Sequence, residues 1–377
     1  MKYTPALLAV LATSVAAQQN QTNTILQNLQ SLTAQGSAKQ YNLSTLIGFA
    51  GKINGLTDKL GKNDTNYTVF APTDAAFATL TKNFPDLVAS LGNNTDALGD
   101  AINYHIVPNT VFLPSENTNV TKLFVRTADA KNNAIQVNLA KAVTLQFDAA
   151  AGQGNATVID SIRSSNGVIH VVNAVLTQPR PAVDVAKAAG LSQLVAAAST
   201  NNDLVSALNN LKENTVFAPT DAAFKAVNEF ATQNNINITG NLLTNILKFH
   251  VVKGVYFSTD IVKFQTASVA TLLDNQNVTV TTSQEDGKPV VNVIGAGQAT
   301  LKLSAAKVVK PDVLVSGGVV HVIDAVLIPD IAAANSSDPS VPKPADVAGN
   351  KNAASATTIS RAAVVAAAVA AIFAVAL

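Results

Sequence analysis

Thr68-Val69-Phe70-Ala71-Pro72-Thr73-Asp74-Ala75-Ala76-Phe77 occurs twice in this chain, returning unchanged as Thr215 to Phe224. An identical decapeptide 147 positions on marks an internal duplication. Two further landmarks recur in the same order. Tyr104-His105 is answered by Phe249-His250, and Gly167-Val168-Ile169-His170-Val171-Val172 by Gly318-Val319-Val320-His321-Val322-Ile323. A period of about 150 residues is too long for a solenoid repeat and suits a whole domain with its own core. The chain is a tandem of two homologous domains.

Within the repeated stretch, Thr68-Val69-Phe70 is apolar and β-favouring, which predicts a buried strand. Pro72 has no N–H for a ladder and ends it. Thr73 or Asp74 is suited to cap the helix that follows, with Phe77 and Leu80 on one face. The motif reads as a strand-to-helix corner.

Ahead of the corner, Ile25, Leu26, Leu29 and Leu32 fall at helical spacing, and Leu43, Leu46 and Ile47 continue the period. Helical patterning also covers Asp86 to Val107 and, in the second copy, Val183 to Leu211 and Leu242 to Phe249. The period then changes to two, through Leu123 and Val125, Ile135 and Val137, Leu145 and Phe147, and Val158 and Ile162. In the second copy Val278 and Val280 alternate toward Glu285-Asp286-Gly287-Lys288, a hairpin signal answered by Val291 and Val293. Gly167 to Leu176 and Gly318 to Leu327 close the copies as strands, and Gln178-Pro179-Arg180-Pro181 reads as a short stiff linker. Helices followed by strands make an α+β arrangement.

The corner, the central Tyr-His or Phe-His and the closing Asn-Gly-Val-Ile-His-Val-Val resemble the conserved stretches of fasciclin domains, in order and twice over. The resemblance implies two tandem fasciclin-like domains, at 22–178 and 182–330, each a roughly seven-stranded β-sandwich with packed helices. It also implies a role in cell adhesion; that no enzymatic activity is expected comes from the residues themselves, which lack a recognisable catalytic grouping.

Both ends of the chain are patterned. Met1-Lys2, the apolar run Ala6 to Ala12 and Val15-Ala16-Ala17 read as a signal peptide, 1–17, cleaved before Gln18. After Pro329 an Asn/Ser/Pro/Ala-rich stretch, 331–352, reads as a disordered stalk. The segment 353–377 combines a polar spacer with the apolar run Ala362 to Leu377, the layout of a glycosylphosphatidylinositol attachment signal with Asn352 as the modified residue. A simple tail anchor is the competing reading. Sequons stand at Asn20, Asn42, Asn63, Asn66, Asn93, Asn119, Asn155, Asn237, Asn277 and Asn335, against roughly five expected by accident. Together these features predict the secretory pathway and the outer face of the plasma membrane or the cell wall.

Composition narrows the chemistry. A net charge of +1 with no Lys/Arg run leaves no electrostatic footprint for nucleic acid. With no cysteine there are no disulfides, thiolate metal sites or cysteine nucleophiles. The four histidines, His105, His170, His250 and His321, pair off between the copies without carboxylates at ligand spacing, so no metal or other cofactor is expected. No Gly-x-Ser-x-Gly elbow or phosphate-binding loop is present, and the repeated Asp74 and Asp221 read as helix-start residues.

Two places carry an interaction reading. Tyr104-His105 matches the Tyr-His that fasciclin proteins use in adhesion; Phe249-His250 repeats it without the phenol hydroxyl. Packing of a helix end against the sheet is the alternative. Lys310-Pro311-Asp312-Val313-Leu314 is similar to the Pro-Asp-Ile stretch of adhesive family members, with Val158-Ile159-Asp160-Ser161-Ile162 as its partner in the first copy. An ordinary turn residue is the alternative for Asp160 and Asp312.

The expected protein is a lipid-anchored surface glycoprotein that binds cell-surface or matrix proteins or glycans. The second hypothesis is an extracellular binder of a small apolar ligand, held in a pocket between helices and sheet.

Overall fold

The computed structural model describes residues 22–33, 41–113, 121–139, 143–147, 154–233, 240–300 and 304–330. The signal peptide, stalk and apolar tail expected from the sequence, with Asn20, Asn119, Asn237, Asn335 and Asn352, lie outside these residues. The chain divides into two compact units, with the change falling between Gln178 and Pro179.

In the first unit seven strands form one sheet: β1 (Tyr67–Pro72), β2 (Ile106–Pro108), β3 (Lys122–Arg126), β4 (Ala134–Asn138), β5 (Thr144–Gln146), β6 (Asn155–Ser164) and β7 (Gly167–Val172). Their spatial order is β2-β1-β7-β6-β5-β4-β3. All neighbours are antiparallel except β1 and β7, which run parallel with Tyr67 opposite Gly167 and Phe70 opposite His170. The sheet curls until its ends meet: Ala128, just past β3, donates its N–H to the carbonyl of Ile106 in β2 at 2.8 Å.

This curl sorts the apolar residues into two layers. Val69, Ala71, Ile169 and Val171 face a helical layer that includes Ile25, Leu29, Leu46 and Leu60. Phe70, Val172, Ile135, Val137 and Leu145 point the other way, into the interior of the curled sheet. Both faces of β7 are therefore covered and all six of its residues are buried. That is why the closing stretch is a continuous apolar run while β3 to β5 alternate.

The second unit repeats the plan with β8 (Asn214–Pro219), β9 (Val251–Lys253), β10 (Thr266–Ala270), β11 (Asn277–Glu285), β12 (Lys288–Gly295), β13 (Ala306–Val315) and β14 (Gly318–Ile323). Their order, β10-β11-β12-β13-β14-β8-β9, is that of the first unit with each strand advanced by seven. The expected hairpin is present: Glu285 pairs with Lys288, and Asp286 and Gly287 both have positive φ. The α+β class and seven strands per unit stand as expected.

The closing strands end at Val172 and Ile323, short of Leu176 and Leu327, and Ile106–Pro108 is a strand rather than part of the helical stretch. Three further details depart from the sequence reading. Thr73 caps its own helix (Asp74–Asn83), accepting from Ala76 N–H at 3.3 Å, but Asp74 caps a different one. Its carboxylate accepts from the hydroxyl of Ser44 at 2.5 Å and the N–H of Thr45 at 2.9 Å, at the start of helix Ser44–Ala50. Asp221 does the same for Ser192 and Gln193. Second, the stretch Val183 to Leu211 is three short helices, Ala182–Ala188, Ser192–Ser199 and Asn202–Asn209, interrupted at Gly190 in a left-handed conformation and at the cap Asn201. Third, a helix not foreseen, Ser258–Phe264, follows β9.

Candidate functional site

The two histidines of each unit are interior hydrogen-bond hubs. His105 closes the turn after helix Thr95–Asn103 and is 2 % exposed. Its Nδ1 donates to the carbonyl of Ala101 at 2.9 Å, and its Nε2 accepts the N–H of Leu176 at 2.9 Å. His250 repeats both bonds, to the Ile246 carbonyl at 2.7 Å and from the Leu327 N–H at 2.8 Å. One imidazole thus ties the end of a helix to the chain leaving the closing strand. Both roles require the neutral ring, and burial pushes His105 and His250 down to about 4.

Tyr104 is fully buried, and its hydroxyl donates to the carbonyl of Ala134 at 3.0 Å. Phe249 is equally buried, and its ring edge lies 2.7 Å from where a Cβ on Gly295 would stand. All four residues of the two pairs sit in the core, where any partner would have to open the unit to touch them.

His170 lies on β7 with no exposed surface. Its Nε2 donates to the Phe112 carbonyl and its Nδ1 accepts from the Ser161 hydroxyl, each at 2.8 Å; burial lowers this ring to about 4 as well. On β14, His321 Nε2 donates to the Tyr256 carbonyl at 2.8 Å, and Nδ1 accepts the backbone N–H of Asp312 at 3.2 Å. Ser161 pairs with His170 in the ladder; Asp312 occupies the bulge between Lys310 and Val313, across from His321. The structural counterpart of Asp312 is therefore Ser161, one residue beyond the expected Asp160. The bulge, which accommodates Pro311, hides this offset from a linear reading.

Asp312 is 6 % exposed with φ +62. Its carboxylate accepts the N–H of Ser258 at 2.7 Å and the Ser258 hydroxyl, so it caps helix Ser258–Phe264 from another element. Asp160 is half-buried and accepts from the Tyr41 hydroxyl at 2.9 Å and from the N–H of Ser161 at 2.9 Å. Burial, followed by the bond to Asp160, raises the Tyr41 phenol above its ordinary value.

The surface near Asp312 differs in character. Val309, Lys310 and Pro311 precede it on β13 and are all exposed, Val309 at 56 %. Val262 and Phe264 stand out from the helix that Asp312 caps, Phe264 at 58 %. In the first unit Ile159, beside Asp160, is 51 % exposed. These apolar side chains carried no periodic signal, because each is an exception within its element.

Apolar cavities do occur between helices and sheet. One is lined by Val185, Leu194, Val216 and Val313 in the second unit, another by Leu29, Leu46, Val69 and Ile106 in the first. Each measures about 30 Å³, where a ligand pocket needs roughly 300 Å³ or more. Among the described residues no cluster of three metal-ligating side chains occurs, and no helix is long and apolar enough to cross a membrane. The six sequon asparagines within the described residues, Asn42, Asn63, Asn66, Asn93, Asn155 and Asn277, are all exposed.

Similarity to known proteins follows the same two units. A Fasciclin domain family model matches residues 41–179 and 189–329. A "Fasciclin-like arabinogalactan protein" of Arthroderma benhamiae is 32% identical over 178 residues, 47% of this chain and 37% of that protein. Human periostin is 26% identical over 281 residues, 71% of this chain and 29% of its own length. The chain thus spans about a third of the length of these two relatives. A solved FAS1 domain pair from the insect cell adhesion molecule Fasciclin I matches at 18% identity and a TM-score of 0.35, over 81% of this chain and 97% of that one.

Proposed function

The chain belongs to the Fasciclin domain family, and from that premise we propose that it is an extracellular adhesion protein, contacting the surface of cells, matrix or cell wall. The observation that carries this reading is the division of labour in the second unit. The polar groups that sequence alone would nominate are engaged in hydrogen bonds within the fold, while Val309, Lys310 and Pro311 on β13, and Val262 and Phe264 on the helix that Asp312 caps, stand in solvent. Exposed apolar groups beside a rigid turn are the material of a contact surface.

In this reading Asp312 is a positioning residue that holds the presenting strand and helix together, and Asp160 has a weaker form of that role. Tyr104–His105 and Phe249–His250 keep each unit closed. Exposed groups this few bind weakly on their own; many copies displayed together make the contact durable through effective concentration. The spacer and apolar run after 352 support display on a glycosylphosphatidylinositol anchor at Asn352, and the leader 1–17 supports delivery to the cell exterior. The domain limits proposed are 22–178 and 182–330, with a stalk at 331–352.

The test is adherence of beads carrying the secreted protein to cells of the source organism, and to their isolated wall or matrix. Adherence that falls several-fold with Val309→Ser plus Phe264→Ser, at unchanged thermal stability, is the expected result. Beads that bind neither cells nor matrix sink the proposal.

A further inference from the structure

Among the described sequon asparagines, Asn155 stands within a row of side chains crossing the sheet. It pairs with Gln146 on β5, Gln146 with Gln136 on β4, and Gln136 with Phe124 on β3. Directly opposed residues of an antiparallel sheet share a face. Here it is the outer face, since the alternating residues Val125, Ile135, Leu145 and Ala156 are all buried in the interior. Asn155 is exposed and the other three are half-exposed.

We propose that the oligosaccharide attached at Asn155 lies across this outer face, seated on Gln146, Gln136 and Phe124. Reach permits it. From Asn155 to Phe124 is three strand spacings, about 14 Å, which the stem of an N-linked glycan, two N-acetylglucosamines and a mannose, spans. Chemistry favours it as well. The four residues of the row are uncharged, so a neutral sugar displaces water mainly from amides and an aromatic ring, the cation of Lys122 lying only at the far end of the row. Both protons of Gln136 Nε2 are used inside the face, to Gln146 at 2.6 Å and Asn138 at 2.8 Å, which fixes the amide and turns its carbonyl oxygen into a preset acceptor for hydroxyls. Phe124 ends the row with Lys122 Nζ 5.2 Å from its ring centroid. Its partly exposed ring supplies apolar area for the C–H face of a pyranose.

The second unit provides an internal control. Asn277 is an exposed sequon at the start of β11, but its cross-strand neighbour is Ala270, and its amide donates to Ser268 at 3.3 Å. No amide–aromatic row leads away from it.

The inference rests on delivery of the chain to the secretory pathway, as proposed above. The experiment uses full-length protein secreted from a eukaryotic host. Site occupancy is read by mass spectrometry, followed by the rate at which peptide N-glycosidase releases each glycan from the native protein. A seated glycan at Asn155 is released roughly fivefold more slowly than that at Asn277, the protection that about 1 kcal/mol of contact confers. Phe124→Ala abolishes the difference at Asn155 and leaves Asn277 unchanged. If Phe124→Ala fails to fold, Gln136→Ser with Gln146→Ser carries the same expectation. Equal release at the two sites, or protection that survives both variants, overturns the proposal. An empty Asn155 beside occupied Asn42, Asn63 or Asn277 also overturns it, whereas emptiness at every site counts against the secretory reading itself.

Discussion

Asp312 and Ser258 lie far apart in the sequence, yet the carboxylate of one receives both the N–H and the hydroxyl of the other. The bond fastens the bulge of β13 to the first turn of helix Ser258–Phe264. It makes a residue that looks like a surface contact into an internal brace.

Substitution at this position separates the two roles. Asp312→Gly keeps the left-handed backbone but removes the cap, and the expected loss is about 2 kcal/mol. Asp312→Asn tolerates the conformation and retains an acceptor, so it loses less. Thermal unfolding of the second unit checks the order. Adherence that follows stability across the two variants marks a brace, while loss of adherence in a fully stable Asp312→Asn protein marks a contact.

Acid weakens the first unit through its two buried imidazoles. His105 and His170 titrate near 4 in the fold and near 6.5 when unfolded, so the unfolded chain binds more protons in between. Their contribution is complete above pH 6.5 and drains away as the pH falls toward 4, by up to about 3 kcal/mol for each ring. Protonation also deprives the Leu176 N–H of its acceptor on His105. Urea unfolding at a series of pH values reads the slope, which His105→Gln reduces. A flat profile between pH 6.5 and 4 contradicts the assignment.

Thr68 is fully buried and its hydroxyl does two jobs, donating to the Thr110 carbonyl at 2.8 Å and accepting the Phe112 N–H at 3.1 Å. Thr215 does the same for Gly254 and Tyr256. Thr68→Val fills the same space and strands both backbone groups, at a cost of about 2 kcal/mol. Thr68→Ser restores the bonds and recovers most of that. Chemical denaturation of the variants tests it; equal stability of the Val and Ser forms is the contrary result.

Glycines at positive φ are not equivalent. A Cβ on Gly167, with φ +144, would stand 1.9 Å from the Tyr67 carbonyl oxygen, and on Gly317 it would stand 2.0 Å from that of Leu211. Alanine at Gly167 forces the parallel pair β1–β7 apart, and at Gly317 it drives the turn before β14 off the backbone at Leu211; a loss of about 4 kcal/mol or failure to fold is expected for each. Gly287, also left-handed, has open space around it, so Gly287→Ala costs only about 1 kcal/mol of backbone strain. Soluble yield and melting temperature of the three variants check the ranking.

The repeated decapeptide was legible because it is local. Phe70 must be buried, Pro72 must end the strand and Thr73 must cap, so composition and order suffice to describe the corner. The closing stretch showed itself as an apolar run, but not as the strand that lies parallel to β1, since nothing in a run of valines states its neighbour. The candidate site was less legible. Tyr104, His105, Phe249 and His250 were found as residues, while their seats in the core, with bonds to Ala134, Ala101, Leu176, Ile246 and Leu327, depend on chain returning from a distance.

By itself, then, the sequence determined what repeats and what is periodic: two domains, a strand-to-helix corner in each, and α+β content. Those follow from rules acting over a few residues. Only the tertiary structure decided which polar groups face inward. Asp74 caps the helix at Ser44, Asp312 the helix at Ser258, and Ser161 rather than Asp160 answers Asp312 across the histidine. A hydrogen bond is recognised by distance in space, and curling a seven-stranded sheet brings together residues that no spacing along the chain relates.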